Sequence, residues 1–202
     1  MPRSASKSAP ERNGELVRVA AQLFVERGYD ATSMQEIADR MGILKGSVYH
    51  YVRTKEDLLW MVVEPPLRDL VETAQKILGD SSIPLTDRVA QAMRTHAESF
   101  EAQYPHMFVM TRENGETLSD ARREDLDSLR RKYFQLWRKA IVEGQKGGII
   151  NPDLEPSVVV HGIFGMLNWM FRWFRPGGRR PARDVADEFS RIVIDGLRTG
   201  KR

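Results

Sequence analysis

Residues 33–59 read SMQEIADRMGILKGSVYHYVRTKEDLL. Ser33 and Glu36 have the spacing of a capping box, so a helix starts there. Met34, Ile37, Ala38 and Met41 follow at helical spacing, and Gly42 ends the helix. The turn Gly42-Ile43-Leu44 leads into a second short helix, Lys45–Val52. Thr54 then caps another, with Asp57 in its first turn. Two short helices joined by a tight turn form a helix-turn-helix, whose second helix enters the major groove of duplex DNA.

The residue types on that second helix suit a groove better than plain solvent. Leu44 opens the face. Lys45 can reach a phosphate or a guanine edge, and Ser47 offers a hydroxyl that both donates and accepts. Tyr49 and Tyr51 extend phenols towards phosphates, and His50 can bond a base or a phosphate. Gly46 lets the backbone come close. Thr32 and Ser33 lie at a helix N-terminus, a natural phosphate site, and Lys55 lies at the next one. Val48 alone is expected to face inward. Each of these polar residues, taken singly, also suits a solvated face.

Outward from this motif nearly everything reads as helix. Leu16, Ala20, Leu23 and Phe24 share one face of a first helix over about 11–27, which Gly28 stops. Behind the motif, the helix capped by Thr54 runs into Pro65-Pro66, which are expected to break or kink it and to act as a pivot. Further helices are expected over 86–103, 105–113, 119–146, 156–174 and 182–197. No alternating strand pattern occurs. The fold class is therefore all-α. Residues 1–10 are expected to be a disordered basic tail, 11–56 a three-helix DNA-binding domain, and 57–202 a helical domain for ligand binding and dimerisation.

Composition agrees with a globular chain. It has 202 residues, 41% hydrophobic and 29% charged, with a net charge of +3. That charge permits nucleic-acid binding without demanding it. The absence of cysteine excludes disulfides and thiolate chemistry. The N-terminus lacks the apolar run of a secretory signal. The longest apolar stretch, 158–174, is short for a bilayer and contains His161, Asn168 and Arg172. A cytoplasmic protein is expected, without membrane contact.

The run from Leu16 to Leu59 resembles the DNA-binding domain of the TetR family of bacterial repressors. Phe24, Gly28, Tyr29, Thr32, Ile37, Ala38, Gly42, Gly46, Ser47, Tyr49, Tyr51, Lys55 and Leu58 carry the likeness. Leu44 stands where the family usually has a capping Ser or Thr, and Met41 replaces a usual Ala. The resemblance implies a homodimer on a palindromic operator, with a variable ligand domain behind the reader.

Residues 158–174 are apolar nearly all round, so they must be buried on more than one side. A second subunit meets that need. Helices 156–174 and 182–197 are expected to pair with their copies as a four-helix interface. The segment GMLNWMFRWFRPGG also resembles regulators that sense acyl-CoA thioesters, and the whole chain resembles repressors of steroid-ring catabolism in actinobacteria. That implies an acyl-CoA effector, with Trp169 and Trp173 flanking the acyl group and Arg172 and Arg175 meeting phosphates. Asn168 belongs to the same segment. Phe100, Met107, Phe108, Met110, Phe134 and Trp137 are further pocket candidates, each equally suited to ordinary core. Arg179, Arg180 and Arg183 equally suit a solvated loop.

The four histidines, His50, His96, His106 and His161, lack metal-ligand spacing. No nucleophilic triad is nominated, so neither cofactor nor enzymatic activity is expected. Other readings remain: an activator, a drug-sensing repressor of an efflux pump, or a helical carrier that binds no DNA. The carrier reading leaves Lys45, Tyr49 and Tyr51 without a role.

Overall fold

The computed structural model describes residues 8–113 and 115–198. It contains α1 (Ala9–Arg27), α2 (Met34–Met41), α3 (Lys45–Val48), α4 (Lys55–Gly79), α5 (Leu85–Ala102), α6 (His106–Arg112), α7 (Asp120–Lys146), α8 (Pro156–Asn168), α9 (Met170–Trp173) and α10 (Ala182–Leu197). The described residues form no β-strand beyond one isolated bridge, Ile150 to Arg198.

Three reciprocal caps set the N-terminal architecture. Ser33 with Glu36 starts α2, and Thr54 with Asp57 starts α4. Ser8 with Glu11 starts α1 two residues earlier than the apolar spacing indicates. Residues 1–7 of the expected tail lie outside the described residues. Each cap stabilises its helix by about 1 kcal/mol. Gly42 ends α2 in the left-handed region, φ 67°, where a Cβ is strained.

Three expectations need correction. The reading helix is shorter than expected: α3 spans Lys45–Val48, followed by turns through Tyr51. Leu44 supplies no side-chain cap and Gly46 disfavours helix, so i→i+3 bonds such as Tyr51 N–H to Val48 O (3.0 Å) take over. The stretch 156–174 divides at Trp169 into α8 and the one-turn α9, where the Arg172 N–H bonds back to Trp169 O (3.0 Å).

The third correction is α4, which runs unbroken through Pro65 and Pro66. A proline inside a helix costs about 3 kcal/mol. Against this, Leu58, Leu59, Val62, Val63, Leu67, Leu70 and Val71 are all buried on α4. Each contributes about 1.5–3 kcal/mol, and together they hold the helix between α1, α5, α6 and α7. The expected pivot is therefore continuous helix.

One apolar cluster spans the molecule, from Leu16 and Phe24 on α1 to Val193 on α10. Of the N-terminal helices, α1 packs on α4, α2 on α1 and α3 on α2, and α5 and α10 pack together.

Candidate DNA-reading surface and effector cavity

The turn and α3 put one row of side chains on the outside. Val48 is fully buried and anchors the helix. Leu44 is 81% exposed and Tyr49 46%; Lys45, Gly46 and His50 are exposed, and Ser47 and Tyr51 half-buried. A Cβ on Gly46 would meet nothing within 4 Å, so its backbone is open to close approach. Cation, hydroxyls and phenols therefore converge on one protruding edge.

Three expected DNA contacts are placed otherwise. Thr32 is 1% exposed, and its hydroxyl donates to Gly28 O (2.8 Å). Ser33 is exposed but engaged: its hydroxyl donates to the Glu36 carboxylate (3.0 Å). Those bonds from Ser33 hold Glu36 below the usual carboxylate range. The α2 N-terminus thus already carries an anion, which repels a phosphate there. Lys55 Nζ donates to Tyr29 O (2.9 Å), Thr32 O (2.9 Å) and Asp30 O (3.4 Å), and sits 4.2 Å from the Tyr29 ring centroid. It braces the α1–α2 loop onto α4. Arg40 and Arg27 are likewise paired, with Glu26 and Glu36. Arg53, exposed beside the reading edge, is a basic residue that the motif alone does not nominate.

Two of the cavities among the described residues carry the expected ligand residues. One, of about 390 Å³, lies among α4, α5, α6, α7 and α8. Leu67, Leu70, Met110, Phe134 and Phe164 supply apolar lining, and Thr111, Arg112, Glu113, Arg130, His96, Tyr133 and Asn168 supply polar groups. The other, about 500 Å³, is a cleft between α1 and the α6–α9 side, lined by Phe24, Val25, Tyr104, Phe108, Val109, Phe171 and Pro176 with Arg112, Arg172 and Arg175. Arg112 belongs to both.

The expected ligand residues divide accordingly. Met110, Phe134 and Asn168 line the first cavity. Phe108, Arg172 and Arg175 line the cleft. Phe100, Met107 and Trp137 are fully buried and line neither. Trp169 and Trp173 point outward, 58% and 47% exposed. The Arg172 guanidinium lies 5.5 Å from the Trp169 ring and 5.8 Å from Phe171. His96 and Tyr133 were missed as site residues. Their signal was polarity within an apolar stripe, His96 between Met93 and Phe100 and Tyr133 between Leu129 and Trp137.

Known proteins share this fold. Residues 16–60 match the model of the bacterial regulatory proteins, tetR family, and residues 82–197 match the tetracyclin repressor-like C-terminal domain. The chain belongs to the TetR family. It is 31% identical to the HTH-type transcriptional repressor KstR2 of Mycolicibacterium smegmatis, over 97% of this chain and 95% of that protein. The structure of ketosteroid transcriptional regulator KstR2 of Mycobacterium tuberculosis superposes with a TM-score of 0.88 at 29% identity, covering 98% of this chain and all of that one. AibR in complex with isovaleryl coenzyme A and operator DNA superposes at 0.77 and 26% identity, over 90% and 97% of the two chains. The protein is accordingly a TetR-type transcriptional repressor.

In this TetR-family chain a polar brace ties reader to ligand domain. Arg122, near the start of α7, donates to Glu56 Oε1 (3.1 Å) and Asp57 Oδ1 (2.5 Å) at the start of α4, and the Ser119 N–H donates to Glu56 (3.0 Å). The Ser119 bond holds Glu56 below its usual range, and the Arg122 bond does the same for Asp57. Lowered carboxylate pKa values stabilise the fold above the ordinary carboxylate range, and this is lost as pH falls through the lowered values. Arg122→Ala should cost about 1 kcal/mol at neutral pH. Urea melts of variant and wild type should converge in acid; a constant gap at all pH values would remove the ion pair as its cause.

No described helix is long and apolar enough to cross a membrane. The outer faces of α8 and α10 nevertheless expose Val158 (67%) and Ile192 (64%), and Trp169 and Trp173 are exposed as well.

Proposed function

We propose that this repressor binds a palindromic operator as a homodimer in the cytoplasm and is released by an acyl-CoA thioester. The reading edge of Leu44, Lys45, Gly46, Ser47, Tyr49, His50 and Tyr51 supplies the DNA contacts, one edge per half-site. The apolar faces of α8, α9 and α10, with Val158, Trp169, Trp173 and Ile192 among their exposed residues, supply the self-complementary interface.

One observation carries the effector class. Arg112 lines both the cavity of about 390 Å³, with its partly apolar walls, and the cleft bearing Arg172 and Arg175. A whole coenzyme A thioester is too large for the cavity alone. Its acyl group suits the apolar walls, and its phosphates suit guanidinium groups outside. The acyl-CoA complex of AibR and the steroid-regulator relatives support the same class, with a bulky ring-bearing acyl group among the candidates. A cationic drug, as for an efflux-pump sensor, is disfavoured: Glu113 is the acid among the cavity's lining residues, beside Arg112 and Arg130, and burial pushes its carboxyl pKa up.

Release requires the effector to bind the DNA-incompetent conformer more tightly, by up to about 5.5 kcal/mol for a near-complete switch. Operator DNA must weaken effector binding by the same factor. A gel shift on the gene's upstream DNA, with acyl-CoAs of increasing bulk, tests this; a stable complex at every concentration of every acyl-CoA refutes the effector class. Lys45→Ala should weaken operator binding by about 1–3 kcal/mol if Lys45 meets a base. It should also relax preference at one base pair per half-site. Unchanged affinity would place Lys45 off the DNA.

A further inference from the structure

Leu44 is the most exposed of the large apolar side chains among the described residues, ahead of Val158 and Ile192. A single exposed leucine is ordinary on a protein surface. This one stands at the N-cap of α3, where Ser, Thr, Asp or Asn would stabilise the helix through a side-chain bond that Leu44 does not make. The apolar packing under this turn comes from Val48, fully buried, and Ile43, half-buried against the core. The Leu44 isobutyl group therefore serves the free protein neither as cap nor as core.

Its surroundings define what it can meet. Lys45, Gly46, Tyr49 and His50 are exposed on the same edge, and Ser47 is half-buried. The Ser47 N–H donates to Leu44 O (2.8 Å), which fixes Leu44 at the head of that edge. In a helix-turn-helix the N-terminal residues of the second helix meet base edges in the major groove. A side chain without donor or acceptor strips water from whatever it covers there. Against guanine N7 and O6, adenine N7 and its N6 amino group, or the cytosine N4 amino group, it leaves polar atoms unpaired. Thymine is the one base that presents an apolar group on that face, its C5-methyl.

We infer that Leu44 is a specificity-determining residue that packs against the C5-methyl of one thymine in each operator half-site. It selects a T·A pair by apolar contact and excluded water, beside neighbours that act through hydrogen bonds and charge. The side-chain cap that α3 lacks is exchanged for a contact made only on DNA. The inference rests on the operator-binding reading and adds a base identity which that reading does not contain.

The test uses the full chain and a duplex that it selects from a random library, with affinities read by fluorescence anisotropy. Each thymine is replaced in turn by uracil, symmetrically in both half-sites. That removes the methyl and keeps every hydrogen-bonding group. For wild type, one symmetric pair of replacements should weaken binding by about fourfold per half-site, about fifteenfold in all. Leu44→Ala should bind the thymine duplex about as weakly as wild type binds that uracil duplex, and the replacement should then change its affinity by less than about twofold. Leu44→Ser, which offers α3 a cap, should be equally indifferent to the methyl and decides the matter if the alanine variant does not fold. If no thymine is methyl-sensitive in wild type, the contact is overturned and operator binding stands. Sensitivity that persists in the folded variants gives the methyl to another side chain or to DNA shape and overturns the assignment to Leu44. A changed mass of the free protein on Leu44→Ser, by sedimentation equilibrium, makes Leu44 a protein contact and overturns it as well. Enrichment of no duplex overturns the inference together with the operator reading.

Discussion

The Val158→Asp, Ile192→Asp double variant should be a folded monomer that has lost its operator. Both side chains are about two-thirds exposed in the single chain, so the charges add little strain to the protomer. In the proposed dimer they would lie within an apolar interface, where an unpaired carboxylate is strongly disfavoured. The consequence for DNA is larger than for the fold. Two readers on one rigid dimer make the second half-site contact intramolecular, which raises avidity by about 10²–10⁴ over one reader alone. Sedimentation equilibrium should show the mass halved, and fluorescence anisotropy should show operator affinity down by at least about a hundredfold. A variant that remains dimeric would place the interface on another face.

Lys55→Met should be the most damaging single change in the reader. The ammonium satisfies carbonyls of Tyr29, Asp30 and Thr32 and covers the Tyr29 ring. Charge-assisted bonds of this kind contribute about 1.5–3 kcal/mol each, so a loss of about 2–4 kcal/mol is expected after the loop relaxes. The thermal midpoint should fall by several degrees. Operator binding should fall with it, through disorder of the α1–α2 loop. A phosphate contact predicts something else: an unchanged melt and a shallower salt dependence by about one counterion. The two readings therefore separate on the same protein sample.

Much of the reader was legible because its determinants are local. Ser33 and Glu36 are three residues apart, as are Thr54 and Asp57, and both caps form as that spacing requires. The missing cap at Leu44 was legible too, and α3 is correspondingly short. Legibility ends where partners are distant in sequence. Lys55 meets carbonyls 23–26 residues away, a bracing role that its residue type and place at a helix N-terminus do not indicate. His96 and Tyr133 are 37 residues apart and come together only because α5 and α7 pack. Pro65 and Pro66 were misjudged for a related reason: local propensity argued for a break, and burial supplied by four other helices overrode it.

The unbroken α4 has a mechanical consequence. Its Leu67 and Leu70 line the 390 Å³ cavity proposed for the effector, and its first residue, Lys55, holds the α1–α2 loop. Twelve residues separate Leu67 from Lys55, about 18 Å of stiff rod at helical rise. A tilt of about ten degrees imposed at the cavity end would swing the reader end by about 3 Å, the length of one hydrogen bond. A joint at the prolines would have absorbed that motion, whereas a rigid lever delivers it to the groove.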